Sequence, residues 1–259
     1  DLVVLGADGR VELHRAGRVG LQRDVRPSDG IGYRNARTID VLRDGAVDVV
    51  SSVTAGTEAE VLRNTAGSLQ WTAATQKPSL PATDNSRVLD FNVDGVPDLV
   101  SSAGTNVHVL AGDRASSSRF AVPVSLNLGT TFVGPAVADF QQRGFPDIVV
   151  ATPTSLLAIE NNSGGGPVAL APSTTSTRPP GTVRLLTEWH AEPNAPPSVA
   201  IVVYDTVSEL RRCERTTGLA FDCNAYTGTQ FIGFGLSVAT DRVNSDLRED
   251  LVIGSDGRT

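Results

Sequence analysis

Asp90-Phe91-Asn92-Val93-Asp94-Gly95-Val96-Pro97-Asp98 carries oxygen-bearing side chains at its first, third, fifth and ninth positions and a glycine at its sixth. Glycine populates positive φ without a Cβ clash, so the chain turns sharply at position 6 and the carbonyl of position 7, Val96, is free to face inward. Hard oxygen donors at alternate positions around a tight glycine turn are the ligand arrangement of flexible Ca²⁺ loops. Asp90, Asn92, Asp94, the Val96 carbonyl and Asp98 are therefore the expected ligands of one Ca²⁺ ion. Magnesium fits less well, because it demands near-octahedral geometry and retains its waters. The bland alternative is a turn rich in Asx hydrogen bonds.

Outward from this stretch the same pattern recurs. Related nine-residue windows begin at 40, 90, 139, 190 and 242, a spacing of 49 to 52 residues. Each is followed by an apolar run: Val49-Val50, Leu99-Val100, Ile148-Val149-Val150, Val199 to Val203 and Leu251-Val252-Ile253. Asp1-Leu2-Val3-Val4 matches the tail of one more window, so the chain is read as a fragment of a longer protein. Between windows, short apolar or alternating stretches such as Val11-Glu12-Leu13, Val107 to Leu110 and Leu156 to Ile159 are separated by Gly, Asn, Ser and Pro clusters, which marks strands and turns. The run Glu58 to Arg63 is too short for a helix and precedes a turn. A period near 50 with several short strands per unit predicts an all-β chain: a β-propeller of four-stranded antiparallel blades, with about five repeats visible in a single domain spanning 1–259. One such blade cannot bury its own faces and must stack on its neighbours.

The windows differ in their ligands. Window 40–48 keeps Asp40, Asp44, Gly45 and Asp48, with the Ala46 carbonyl at position 7, but Leu42 replaces the third-position donor, so weaker Ca²⁺ binding is expected there. Window 139–147 keeps Asp139, Gly144 and Asp147 but carries Arg143 at position 5. A guanidinium there repels a cation and is expected to take the ion's place, pairing with Asp139 and Asp147. Window 190–198 retains only Glu192 and Asn194, and window 242–250 begins with Arg242 and has Leu247 in the glycine position; both are expected to be metal-free. A loop that tolerates this much ligand loss has a structural role first.

At these residues the sequence resembles the FG-GAP/VCBS repeat family, the integrin-α-like propellers. Asp90 to Val100 looks like that family's central motif, Phe231-Ile-Gly-Phe-Gly-Leu-Ser-Val-Ala like its FG-GAP lead-in, and Glu160-Asn161-Asn162-Ser163-Gly-Gly-Gly like the Asn/Gly turn that follows the second strand in VCBS copies. The resemblance implies four-stranded blades around a central axis, Ca²⁺ in the intact loops, usually seven blades, and a secreted or surface-exposed protein. This chain departs in copy number, which implies two blades beyond it, blades too degraded to recognise, or a smaller ring.

Composition bounds the partners. The net charge of −7 and the absence of a basic patch disfavour nucleic acid. No apolar run of 18 residues exists, so no membrane-spanning segment is expected. Cys213 and Cys223 sit ten positions apart; two strands joined by a turn would bring them together as a disulfide, consistent with an oxidising compartment, and two unpaired core thiols are the alternative. Asn161-Asn162-Ser163 is an N-glycosylation sequon.

The expected function is a binding or adhesion module for a protein or glycan ligand, presented on loops over rigid blades. Trp71 and Trp189 are the aromatic candidates for sugar stacking, although blade packing is the commoner use. No enzyme activity is expected: His14, His108 and His190 are scattered over three repeats, and no nucleophile elbow, zinc pattern or phosphate loop is present. Two alternatives stand beside this reading. One is a structural subunit of a larger surface assembly or toxin; the other is a propeller-based polysaccharide lyase or hydrolase.

Overall fold

A computed structural model of the chain describes residues 2–5, 11–17, 20–25, 33–40, 45, 47–53, 59–65, 68–70, 85–115, 120–190, 194–204, 208–231, 235–241 and 249–255. Every regular element among them is a β-strand. In chain order, β1 (Leu2–Leu5), β2 (Val11–Gly17) and β3 (Gly20–Val25) form one sheet, and β4 (Tyr33–Ile39), β5 (Asp48–Val53), β6 (Ala59–Thr65) and β7 (Ser68–Gln70) form the next. The third holds β8 (Asn85–Leu89), β9 (Asp98–Ala103), β10 (Asn106–Leu110) and β11 (Val124–Asn127). The fourth holds β12 (Val133–Ala138), β13 (Asp147–Ala151), β14 (Ser155–Asn161) and β15 (Leu170–Thr177). The fifth holds β16 (Thr182–Trp189), β17 (Ser198–Tyr204), β18 (Ser208–Arg215) and β19 (Phe221–Phe231), and the last pairs β20 (Gly235–Asp241) with β21 (Asp250–Ser255). In the four-stranded sheets spatial order follows chain order, forward or reversed, so each is an antiparallel meander.

The predicted period is the period of these sheets. In each of the last five, the window connects the first strand to the second, and the second strand begins at window position 9. The register is identical: Ile39 opposes Asp48, Leu89 opposes Asp98, Ala138 opposes Asp147, Trp189 opposes Ser198 and Asp241 opposes Asp250. A register shift also recurs inside the first strand of four of them, at Arg34/Arg37, Val133/Ala136, Val183/Leu185 and Gly235/Ser237. The strands flanking the worn windows therefore keep the register of those flanking the intact ones.

The chain divides into two compact units, one of Asp1–Ala103 with Val107–Leu126 and one of Gly104–Asn106 with Asn127–Thr259. In the first, β4 packs beside β8, and Val50, Val61, Leu99, Leu110 and Phe120 form a buried cluster. In the second, first strands again line up, β12 beside β16 and β16 beside β20. Its largest cluster joins Ala136, Phe140, Val149, Ile201, Cys213 and Phe221, with the Phe140 and Phe221 rings edge to face at 5.4 Å. The second strands of three sheets are buried along both faces, as continuous apolar runs predict: β9 and β13 are buried at every residue and β17 at all but its last. Window position 2 drives a large side chain inward in each unit, since Phe91 and Phe140 are fully buried. Burial of each is worth about 2–3 kcal/mol.

Candidate metal centre and the corner loops

The loop conformation repeats before any ligand is considered. Window position 6 is left-handed in three copies, at Gly45 (φ 85°), Gly95 (φ 82°) and Gly144 (φ 84°), and position 4 is left-handed at Val93 (φ 59°) and Gln142 (φ 54°). Such a backbone is held by its two outer aspartates. At position 1, Asp90 accepts N–H bonds from Asp94 (3.0 Å) and Gly95 (2.8 Å). Asp139 accepts the equivalent pair from Arg143 (2.9 Å) and Gly144 (2.6 Å), and Asp40 accepts from Gly45 (2.9 Å).

At position 9 the aspartate is fully buried in all three copies, Asp48, Asp98 and Asp147. Asp98 takes N–H bonds from Phe91 (2.7 Å), Asn92 (3.0 Å) and Gly112 (2.6 Å). Asp147 takes one from Asn161 (3.0 Å), which stands at the same 14-residue offset as Gly112 from Asp98. The ninth residue thus ties the start of the second strand to the end of the third, β10 or β14. Burial pushes the Asp98 carboxyl up to about 6 against the lowering effect of its three N–H partners, and the nearby Asp94 charge adds to the rise. Burial also raises Asp147, opposed by the Asn161 N–H and by Arg143 and Gln141.

The inner positions differ from copy to copy. In window 90–98, Asn92 Nδ2 donates to Asp94 Oδ2 at 2.9 Å, Asp94 N–H is shared between Asp90 and Asn92 Oδ1, and Asp94 Oδ1 accepts from Val96 N–H. Asp90, Asn92 and Asp94 are therefore gathered around one turn. The donor set is all oxygen and suits Ca²⁺ by type. In the arrangement described, however, each carboxylate serves its own backbone, and no group of three or more His, Cys, Asp or Glu side chains converges as metal ligands among the described residues. Of the weaker set, Asp40 caps Gly45 and Asp48 is buried; Asp44 and Ala46 lie outside the described residues. So do Glu192, Asn244, Asp246, Trp71 and residues 232–234 of the lead-in motif.

In window 139–147 the cationic side chain lies where the sequence places it, with one correction. Arg143 pairs with Asp147 (3.0 Å) and with Glu160 (2.7 Å) on β14. Asp139 does not join the pair: its two oxygens cap the Arg143 and Gly144 N–H groups, and the guanidinium reaches to Asp147 and Glu160 instead. Glu160 escapes a reading by linear spacing because only the antiparallel pairing of β13 with β14 brings it to the loop.

The remaining sequence candidates resolve as structure. Cys213 and Cys223 face each other across β18 and β19 and are joined as a disulfide. Trp189 is 6% exposed, donates from Nε1 to the Glu249 carbonyl, and lies under the Arg212 guanidinium, which is blade packing. His108 is buried and bonds Ser125 through Nδ1 at 2.7 Å; burial lowers its pKa. The sequon residue Asn161 is 2% exposed, with its Nδ2 on the Pro146 carbonyl and its Oδ1 on both Ser163 N–H and Oγ.

Three comparisons bear on identity. Residues 90–150 match the family model described as FG-GAP-like repeat, a match that begins at Asp90 and runs through the next window. No curated protein matches the chain. Among solved structures the chain is similar to two crystal structures of BBS1N in complex with ARL6DN, one soaked with mercury and one with lead. Both superpose with a TM-score of 0.62, at 7% and 9% identity, over 96% of this chain and 70% and 69% of the other. At that identity the likeness speaks to fold alone, and the fold is that of a β-propeller.

Proposed function

We propose that this chain, an all-β propeller whose residues 90–150 are an FG-GAP-like repeat, is a non-enzymatic interaction module of the secreted or cell-surface type that binds a protein partner and takes Ca²⁺ into its 90–98 loop. The observation that carries the reading is the division of labour within the repeat. Windows 40–48, 90–98 and 139–147 fix one end of their sheets with the same aspartate-capped corner, and the strand register there is shared by the sheets whose windows have lost the aspartates, while the inner loop positions and the lengths of the opposite strand connections differ from copy to copy. A constant frame with variable connections is how rigid scaffolds display recognition loops. A protein partner is favoured by the similar fold of BBS1N, which is crystallised in complex with a protein. The described Trp189, the aromatic most suited to a sugar ring, is committed to packing.

Asp90, Asn92, Asp94, the Val96 carbonyl and Asp98 are the residues that would hold the ion, and the bound charge would offset the repulsion among three carboxylates in one turn. Window 40–48 would hold it less tightly. Screening the purified chain in parallel against arrays of extracellular proteins and of glycans, in Ca²⁺ and in EGTA, tests the reading. Saturable binding to a protein supports it. Binding confined to glycans, or depolymerisation of an arrayed polysaccharide, overturns it.

A further inference from the structure

A cavity of about 290 Å³ opens in the second unit at the far end of β12 and β13 from the 139–147 loop. Its apolar lining is Phe132, Val133, Ala151 and Val183, and Arg178 is the one charged residue lining it among the described residues. Arg178 sits in the connection between β15 and β16 and is fixed by backbone carbonyls. Nε and Nη2 both donate to Pro153 O, and Nη1 donates to Pro179 O (2.8 Å) and Gly181 O (2.6 Å). A guanidinium has five N–H groups, so these four bonds leave one, on Nη2. Carbonyl oxygens hold a cation in place without cancelling its charge, and no carboxylate pairs with Arg178 among the described residues. The result is a positive charge held rigid beside an apolar slot, in a chain whose net charge is −7.

We propose that this cavity is a recognition pocket for a carboxylate on a short aliphatic stem, supplied by a glutamate side chain of the partner protein. The stem meets Phe132 and Val183, and the carboxylate meets the Nη2 N–H in a charge-assisted hydrogen bond. The volume lies at the bottom of the usual range for small-ligand sites, about 300–1,000 Å³, and so admits one side chain better than a chain of sugar rings. The identity of the molecule bearing the carboxylate rests on the protein-binding reading above; the pocket itself does not.

The test uses the isotope-labelled whole chain, titrated with glutarate and with its neutral analogue glutaramide, following backbone amide shifts. Glutarate is expected to shift Thr131, Thr152 and Gly181 saturably, and glutaramide to bind at least about tenfold more weakly, the factor for losing one charge-assisted bond. The response is expected to vanish in Arg178→Gln. Thr131→Trp, which blocks the mouth from an exposed loop position and leaves Arg178 in place, serves if Arg178→Gln does not fold. Acetyl-Ala-Glu-Ala-amide is expected to bind at least as well as glutarate, and its Gln counterpart not to bind. Equal responses to glutarate and glutaramide, or an undiminished response in Thr131→Trp, overturn the pocket. Tighter binding of glucuronate than of the Glu peptide overturns the assignment to a protein side chain. Failure of the protein array with an intact glutarate response sinks the interaction reading and leaves the pocket standing.

Discussion

Windows 90–98 and 139–147 make the same corner from different chemistry. Both have a position-1 aspartate capping the N–H groups of positions 5 and 6, a left-handed position 4, a left-handed glycine at position 6, a buried phenylalanine at position 2 and a buried aspartate at position 9. They part at positions 3 and 5. One window has Asn92 and Asp94, an excess of negative oxygen; the other has Gln141 and Arg143, with Arg143 neutralising Asp147 from within. The corner therefore belongs to positions 1, 2, 6 and 9. The middle of the loop decides only how its charge is balanced, by an ion from solution or by a tethered guanidinium.

The comparison breaks first at position 9. Asp98→Asn and Asp147→Asn each put an amide NH₂ where N–H groups must be accepted, and each is expected to cost about 3 kcal/mol in urea unfolding. If Asp98 served mainly as a metal ligand, its cost would disappear in EGTA, whereas that of Asp147 would not change.

Calcium separates the two windows next. A hundredfold excess over Kd is expected to add about 2.7 kcal/mol of stability, seen as a higher Tm in Ca²⁺ than in EGTA. Asp94→Ala should abolish that increment and Arg143→Gln should leave it whole. An increment that survives Asp94→Ala would place the ion in another loop.

Arg143→Gln itself is expected to cost about 1 kcal/mol, because the pair is one-third exposed at the arginine and Asp147 keeps its Asn161 and Gln141 bonds. Raising the salt concentration should reduce that difference. Gly144→Ala is expected to cost a similar amount, about 1 kcal/mol, from positive φ alone, since an added Cβ meets nothing within 4 Å.

The two windows can also be compared through pH. A carboxyl whose folded pKa lies above its unfolded value binds protons more tightly when folded, so its contribution is complete below the unfolded pKa and is lost as pH rises through the folded one. Asp98, pushed up to about 6, should make stability fall between about pH 4 and pH 6. The slope should flatten in Asp98→Asn; an unchanged slope would assign the titration to another group.

Much of this was legible because repetition exposes itself in one sequence. The spacing of the windows gave the sheets, the apolar runs gave the second strands, and Arg143 at a ligand position gave the internal cation. Partners set by pairing across strands were not legible. Glu160 reaches Arg143, and Gly112 and Asn161 reach the ninth aspartates, only after β10 and β14 have folded back on their neighbours. The shared 14-residue offset of those last two contacts was the one linear trace of them. Pairing Arg143 with Asp139 failed for a related reason: the second partner of the guanidinium is Glu160, which the neighbouring strand brings in, while Asp139 caps the turn it closes. The Arg178 pocket left no trace, because prolines and threonines carry no charge pattern and the carbonyls that hold the guanidinium are backbone.

The burial of Asn161 carries a consequence for biosynthesis. Its amide nitrogen, the atom to which an oligosaccharide would be attached, is spent on Pro146 O inside the sheet. Transfer of a glycan there and closure of the β13–β14 corner exclude each other. In a secretory pathway the two would race, and the mature protein would report the winner: unmodified asparagine at this sequon marks molecules that folded before the transferase reached them, and an occupied one marks molecules that never completed the sheet.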